Sequence, residues 1–309
     1  MKHRINEKRF FLLTYIVALG FPAIASADAT DSDGEESGVE IEFFSMGNSN
    51  SSIGNAQVGT SGVLIETEYE NNDISFSFNY ERWRYNWTNP ENLPFVSSTA
   101  SAPWTSFNTL QFGLAYEQAI NPQLELRYYA EAESSFEEQT SGSREYEIGI
   151  DFTYELSKNW TYTVNTNYEY LDAEGGSMGL DLEIVWNHDK KEGWSGEFEI
   201  SSEFPETSLT YHFTRKFSTT MFYNDSGTST IRLSDSSPVS GMQGGYLEDE
   251  YNAIGVQLDY ELAHENYWSF TIQQNTGREM SFIDSAGKSA AAYEFEDAGE
   301  ISVRYSYEF

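Results

Sequence analysis

From Val39 onward the chain alternates apolar and polar residues with a period of two, in runs of about ten residues, almost without interruption. Residues 146–156 place Tyr146, Ile148, Ile150, Phe152, Tyr154 and Leu156 on one face. Glu147, Gly149, Asp151, Thr153 and Glu155 lie on the other. Successive side chains point to opposite faces only in an extended strand, so the pattern specifies β-structure. No helical stripe of useful length competes with it. Segments of this kind fall near 39–45, 62–70, 74–86, 107–118, 123–133, 145–156, 160–171, 178–187, 194–202, 207–214, 217–224, 251–262, 267–275 and 298–309. The expectation is an all-β chain of about fourteen antiparallel strands, within a bracket of roughly twelve to sixteen.

The connections alternate in length. Short ones, such as Asn71-Asn72-Asp73, Ser157–Asn159 and Arg215-Lys216, mostly take turns with long ones at 46–61, 87–106, 134–144, 172–177, 225–250 and 276–297. Pro205-Glu206 breaks the rule, reading as a short turn where a long loop is due. Short turns at one end and long loops at the other, with an even strand count, are the signature of a transmembrane up-and-down β-barrel. A soluble β-sandwich also alternates. Its strands need not reach the ten residues of a tilted membrane crossing, and its polar faces carry both charge signs, whereas here they are almost wholly acidic.

Aromatic residues make up 16% of the chain, yet mean hydropathy is −0.54, a pairing suited to a sheet with a lipid-facing outside and a wetted inside. The formal charge of −33 argues against nucleic-acid partners. The absence of cysteine excludes disulfides, thiol chemistry and Cys-ligated zinc. At the start, Lys2, Arg4, Lys8 and Arg9 precede the apolar run Phe10–Ile24 and then Ala25-Ser26-Ala27, which reads as a secretory signal peptide cleaved near Ala27. The expected organisation is a signal peptide over 1–27, an acidic segment over 28–38 and a barrel over 39–309.

Rings gather near strand ends on the apolar face: Tyr69, Tyr80, Tyr116, Tyr154, Trp160, Tyr170, Trp186, Trp194, Tyr223, Tyr260, Trp268 and Tyr305. Such girdles suit the boundary between hydrocarbon and water. The chain ends on alternating Ile301, Val303, Tyr305, Tyr307 and Phe309. In this it resembles the Gram-negative outer-membrane β-barrel superfamily, whose last strand closes on a terminal Phe. The resemblance implies recognition of that strand by the barrel assembly machinery and contact with outer-membrane lipid. In size and strand count the chain is similar to the monomeric OmpG-like porins, and its acidic, Tyr-rich hairpins resemble the oligosaccharide-specific (oligogalacturonate-type) porins. The latter line their bore with Arg and Lys for acidic sugars; this chain does the opposite.

With the apolar positions outward, the alternate positions face the bore. The expected pore-lining residues are Glu66, Glu68, Glu125, Arg127, Glu131, Glu147, Asp151, Asp181, Glu183, Glu197, Glu199, Asp259 and Arg304. A wall so rich in carboxylates attracts cations and repels anions. One strand departs from the pattern, because Arg82 and Arg84 continue the apolar parity of Ile74, Phe76, Phe78 and Tyr80. Either a bulge turns Trp83 and Tyr85 outward, or the strand has left the hydrocarbon by that point; the second is the simpler reading.

The expected function is passive diffusion of small hydrophilic solutes, with a cation preference and no cofactor or metal. A structural or display barrel of little conductance is the alternative. A lipid hydrolase is a weaker one, since His188 and His264 fall in short turns and His212, near Ser208, belongs to no recognisable catalytic motif. The acid run Glu248-Asp249-Glu250 lacks the spacing of a calcium loop. After cleavage near Ala27 only about eleven residues would precede the first strand, too few for the N-terminal plug of the fatty-acid channels. The transported solute, and the loop that sets the constriction, are not readable from the pattern.

Overall fold

The computed structural model describes residues 37–93, 96, 102–172, 175–187, 192–201, 205–225, 230–239, 241–262 and 266–308. The signal peptide, most of the acidic segment, the terminal Phe309 and both turn histidines lie outside the described residues.

Sixteen strands appear: β1 (Ser37–Asn50), β2 (Gln57–Asn71), β3 (Ile74–Thr88), β4 (Ser106–Asn121), β5 (Leu124–Phe136), β6 (Arg144–Ser157), β7 (Trp160–Leu171), β8 (Gly175–Trp186), β9 (Gly193–Ile200), β10 (Pro205–Thr214), β11 (Phe217–Asp225), β12 (Ile231–Arg232), β13 (Tyr246–Glu261), β14 (Asn266–Ile283), β15 (Ser289–Glu294) and β16 (Ala298–Glu308). Fourteen of them are the staves of a closed antiparallel barrel. β1 to β11 pair in order, β11 pairs with β13, β13 with β14, β14 with β16, and β16 returns to β1. Closure removes the free sheet edges that lipid cannot satisfy. The two accessory strands, β12 and β15, sit at the long-loop end.

The fourteen expected strands are all present, and many run farther toward the long loops than the sequence pattern indicates. Short turns are built as expected: Asn72, at φ 55, lies in the turn between β2 and β3, and two residues join Thr214 to Phe217. Pro205-Glu206 is not a turn. Both residues belong to β10, opposite Ile200 and Glu199, and the connection is the four residues before them. Proline is tolerated there because it opens the strand.

The outward positions form a continuous band of exposed apolar side chains around the staves, including Phe43, Phe76, Phe112, Ile148, Val164, Leu180, Met221, Val256, Ile272 and Ile301. Of the expected girdle rings, Tyr69, Tyr116, Tyr154, Trp160, Tyr170, Trp194, Tyr260 and Trp268 are exposed. A band this extensive is too large for a water-facing surface and matches the hydrocarbon-facing wall of a membrane barrel. The ladders β2–β3 and β3–β4 run without a register shift past Arg82 and Arg84. No bulge occurs, and Trp83 and Tyr85 turn inward, 9% and 4% exposed.

Candidate functional site: the inner wall and its loop bridge

On the inner face the lower half of the barrel, toward the short turns, is a polar lattice. Across β3, β4 and β5, Asn79 donates to Gln111 at 2.8 Å, and Gln111 donates to Glu131 at 2.6 Å. Across β5, β6 and β7, the Tyr129 hydroxyl donates to Glu147 at 2.6 Å and accepts from Asn165 at 2.8 Å. The same Asn165 amide donates to Asp151 at 2.6 Å, and Asn167 donates to Glu147 at 2.8 Å. Tyr129 reaches over its cross-strand partner because that partner is Gly149, where a Cβ would stand 2.4 Å from the ring.

The two basic residues expected in the bore are both paired. Arg127 meets Asp151 at 3.1 Å. Arg304 on β16 contacts Glu40 at 2.9 Å and Glu42 at 2.6 Å on β1, with Glu66 of β2 in register with Glu40. Asp259 on β13 accepts from Ser269 at 2.6 Å and from Gln257 at 2.7 Å. Glu183, Glu199 and Glu206 form a row across β8, β9 and β10, with Glu197 two residues below Glu199 and Asp181 in register with Asn165. Glu68 stands opposite Ser77, and Glu125 opposite Thr153. The expected residues therefore gather into a β5–β7 group and a β8–β9 group, while Arg304 with Glu66, and Asp259, stand apart. His212 bonds not to Ser208 but to Ser195, at 3.0 Å.

The other half of the bore is different. Toward the long loops, Phe44, Met46, Val58, Trp83, Tyr85, Phe107, Leu247, Tyr251, Met280 and Phe282 are buried inward-facing residues. Against them pack Leu93, Val96 and Trp104 from the segment between β3 and β4, and Ile231, Leu233 and Val239 from the segment between β11 and β13. Trp104 is 2% exposed and lies edge-on to Trp87 and Tyr85. This apolar core fills one side of the mouth, so the polar lattice does not run the full length of the barrel. A sequence signal existed: apolar doublets such as Phe43-Phe44 and Leu64-Ile65 give both faces an apolar residue.

The segment between β11 and β13 also spans the mouth. Its strand β12 pairs antiparallel with β13 (Arg232 opposite Tyr246) and parallel with β5 (Arg232 opposite Phe136). Six staves separate β5 from β13 on either side of the ring, so β12 joins opposite walls. Two strand spacings hold those rims about 10 Å apart. The far side is secured by Glu137, which accepts from the Ser234 amide at 2.9 Å, by Glu138, which accepts from the Ser234 hydroxyl at 2.5 Å, and by Gln139, which donates to Asp235 at 3.1 Å. The bridge divides the mouth into two lobes. The apolar core occupies the lobe over β14, β16 and β1–β4; β6–β11 bound the other.

No protein-family model matches the sequence, and no curated protein matches it. Solved structures do match by shape. The Pseudomonas putida toluene transporter TodX superposes with a TM-score of 0.50 at 8% identity, over 90% of this chain and 91% of that one. A Pseudomonas aeruginosa FadL homologue gives 0.50 at 9% identity, over 89% and 90%. The KdgM porin gives 0.36 at 10% identity, over 87% and 99%. At these identities the two likenesses at 0.50 speak to fold alone: a closed antiparallel β-barrel.

Proposed function

We propose that the chain is a Gram-negative outer-membrane channel through which small hydrophilic solutes diffuse passively, with a preference for cations. The observation that carries this reading is the segregation of the wall. Outward positions are apolar and exposed, whereas the lower inner positions carry Glu66, Glu131, Glu147, Asp151, Asp181, Glu183, Glu197, Glu199 and Asp259, with Arg127 and Arg304 already neutralised in ion pairs. A wetted wall of uncompensated carboxylates concentrates cations and excludes anions. In this reading the mature chain follows cleavage near Ala27 and inserts with its last strand recognised by the assembly machinery.

The β12 bridge and the apolar core favour low conductance in the resting barrel, which links this reading to the alternative of a display barrel. Planar-bilayer recordings in a potassium chloride gradient test both. A reversal potential on the cation side supports the proposal, and an anion-side potential rejects it. Absence of current in the intact chain and in a chain lacking residues 230–245 leaves a structural barrel.

A further inference from the structure

Among the described residues, three inward rings lie over the glycine directly opposite them on the next strand. Phe44 of β1 covers Gly62 of β2, Tyr129 of β5 covers Gly149 of β6, and Phe222 of β11 covers Gly255 of β13. Two of the three are explained by their surroundings. Phe44 packs on Trp83 inside the apolar core, and the Tyr129 hydroxyl is held by Glu147 and Asn165. Phe222 belongs to neither group. It is half-buried, sits five residues above the start of its stave at Phe217, and has no polar atom with which to join a lattice.

The wall around this ring differs from the acidic wall of β5–β9. The inner positions beside it on β10, β11, β13 and β14 are Ser208, Thr210, Thr220, Gln257, Thr271 and Gln273, none of them charged. Hydrogen bonds already align several of them. Thr210 and Thr220 share one at 2.8 Å. Gln273 donates to Asn275 at 2.9 Å, and Asn275 donates to Glu300 at 2.8 Å. A Cβ on Gly255 would stand 2.5 Å from Phe222 Cζ, so the ring lies across the glycine, along the wall toward β14.

The register sets charges at fixed distances from the ring. Read from β9 to β16, its row is Glu197, Ser208, Phe222, Gly255, Gln273 and Glu300. From the ring tip over Gly255, Glu300 is two strand spacings away, about 10 Å, and Glu197 is three, about 14 Å. An apolar ring face bordered by hydroxyls and amides suits a pyranose. Its C–H face packs on the aromatic ring, and its hydroxyl edge finds polar partners. A carboxylate on either side favours a charged amine as the substituent and repels a uronate.

We infer that Phe222 and its row form a binding subsite for amino sugars on the inner wall, with one sugar ring stacked on the phenyl face and the amine of a linked unit directed to Glu197 or Glu300. The inference rests on the solute-channel reading proposed above, but its test measures binding and does not require current.

The β-1,4-linked trimer of glucosamine, maltotriose and trigalacturonate are titrated against the folded barrel in detergent micelles at mildly acidic pH, where the amine is charged. Folding is verified by heat-modifiable migration, and binding is followed by saturation-transfer NMR. The glucosamine trimer should bind best, maltotriose more weakly and trigalacturonate not at all. Phe222→Leu keeps the apolar volume over Gly255 but removes the aromatic face, so it should weaken the glucosamine trimer and maltotriose alike, by about fivefold. Phe222→Tyr should retain both. Unchanged affinity in folded Phe222→Leu overturns the subsite, since a ring that only fills space is replaceable by leucine. The double variant Glu197→Gln with Glu300→Gln should abolish the preference for glucosamine over maltotriose. A preference that survives it, or binding of trigalacturonate equal to that of glucosamine, overturns the solute class. Sugar binding without any ion current would keep the subsite and sink the channel reading; current without sugar binding would do the reverse.

Discussion

Asp249 and Arg278 form a two-pronged ion pair with neither side chain reaching solvent: Arg278 donates from Nε at 2.8 Å and from Nη2 at 2.5 Å, at exposures of 0% and 1%. The Tyr85 hydroxyl donates to Asp249 at 3.2 Å, and the remaining Arg278 nitrogen approaches the Met46 sulfur at 3.1 Å. The pair thus ties β1, β3, β13 and β14 together inside the apolar core. Its existence depends on a bulge. β14 carries an extra residue between the partners of Glu250 and Asn252, and Gly277 within it adopts φ +66. Below the bulge odd-numbered residues of β14 face the bore; above it Arg278, Met280 and Phe282 do.

Removing one partner of this pair should leave a buried charge alone. Arg278→Met is expected to lower stability by about 3–5 kcal/mol, whereas the double variant with Asp249→Leu recovers most of the loss. Urea unfolding in lipid vesicles, followed by tryptophan emission, checks this. A double variant no better than the single one would show that the pair has no such role.

Gly149 is required by the ring above it. Gly149→Val forces Tyr129 off Glu147 and Asn165, which should cost about 1–3 kcal/mol and loosen the β5–β7 lattice. Tyr129→Leu in the same background should restore part of that stability, because the clash then falls on a smaller side chain.

Arg127 offsets Asp151 on the inner wall. Arg127→Gln should move the bilayer reversal potential further to the cation side, and Asp151→Asn should move it back toward zero. Opposite signs of these two shifts are the critical outcome, since a change in bore width alone would move both variants alike.

Docking of the bridge should depend on acidity. Burial raises the Glu137 carboxyl above the usual carboxylate range, against the lowering effect of the Ser234 amide, and the neighbouring Glu138 charge adds to the rise. The docked state therefore holds the proton more tightly than the undocked one. This contribution is fully present below the ordinary carboxylate pKa and is lost as pH climbs through the raised value. Ser237→Cys, at a position 3% exposed in the docked segment, should be alkylated relatively more slowly at about pH 5 than at about pH 7.5, after allowance for thiolate fraction. Glu137→Gln should flatten that difference.

Residues 230–239 and 241–245 close part of the mouth, so deletion of 230–245 should raise single-channel conductance severalfold while leaving the sign of ion preference unchanged. Unchanged conductance would place the constriction lower in the bore.

The strand count, the antiparallel order and the outward face were legible because a period of two is a local property. Tyr146 to Leu156 declare their face without reference to any other part of the chain. The carboxylates followed from the same parity, and Arg127 and Arg304 stood out as the bases among them. What the pattern could not show lies where the period breaks or where partners are remote. Gly277 ends the alternation of β14, so 276–297 reads as loop although β14 continues to Ile283. Arg82 and Arg84 looked anomalous on the apolar parity of β3, because what covers the inward Trp83 and Tyr85 is not local to that strand: Phe44 of β1 packs on Trp83, while Trp104 of the following loop and Asp249 of β13 meet Tyr85. The pairing of Arg232 with Phe136, nearly a hundred residues earlier in the chain, has no local signal at all. Sequence alone determined the barrel wall, since each strand's faces are set by neighbours one and two residues away. Only the tertiary structure decided how the mouth is filled and bridged, since both depend on which staves stand opposite one another once the sheet has closed.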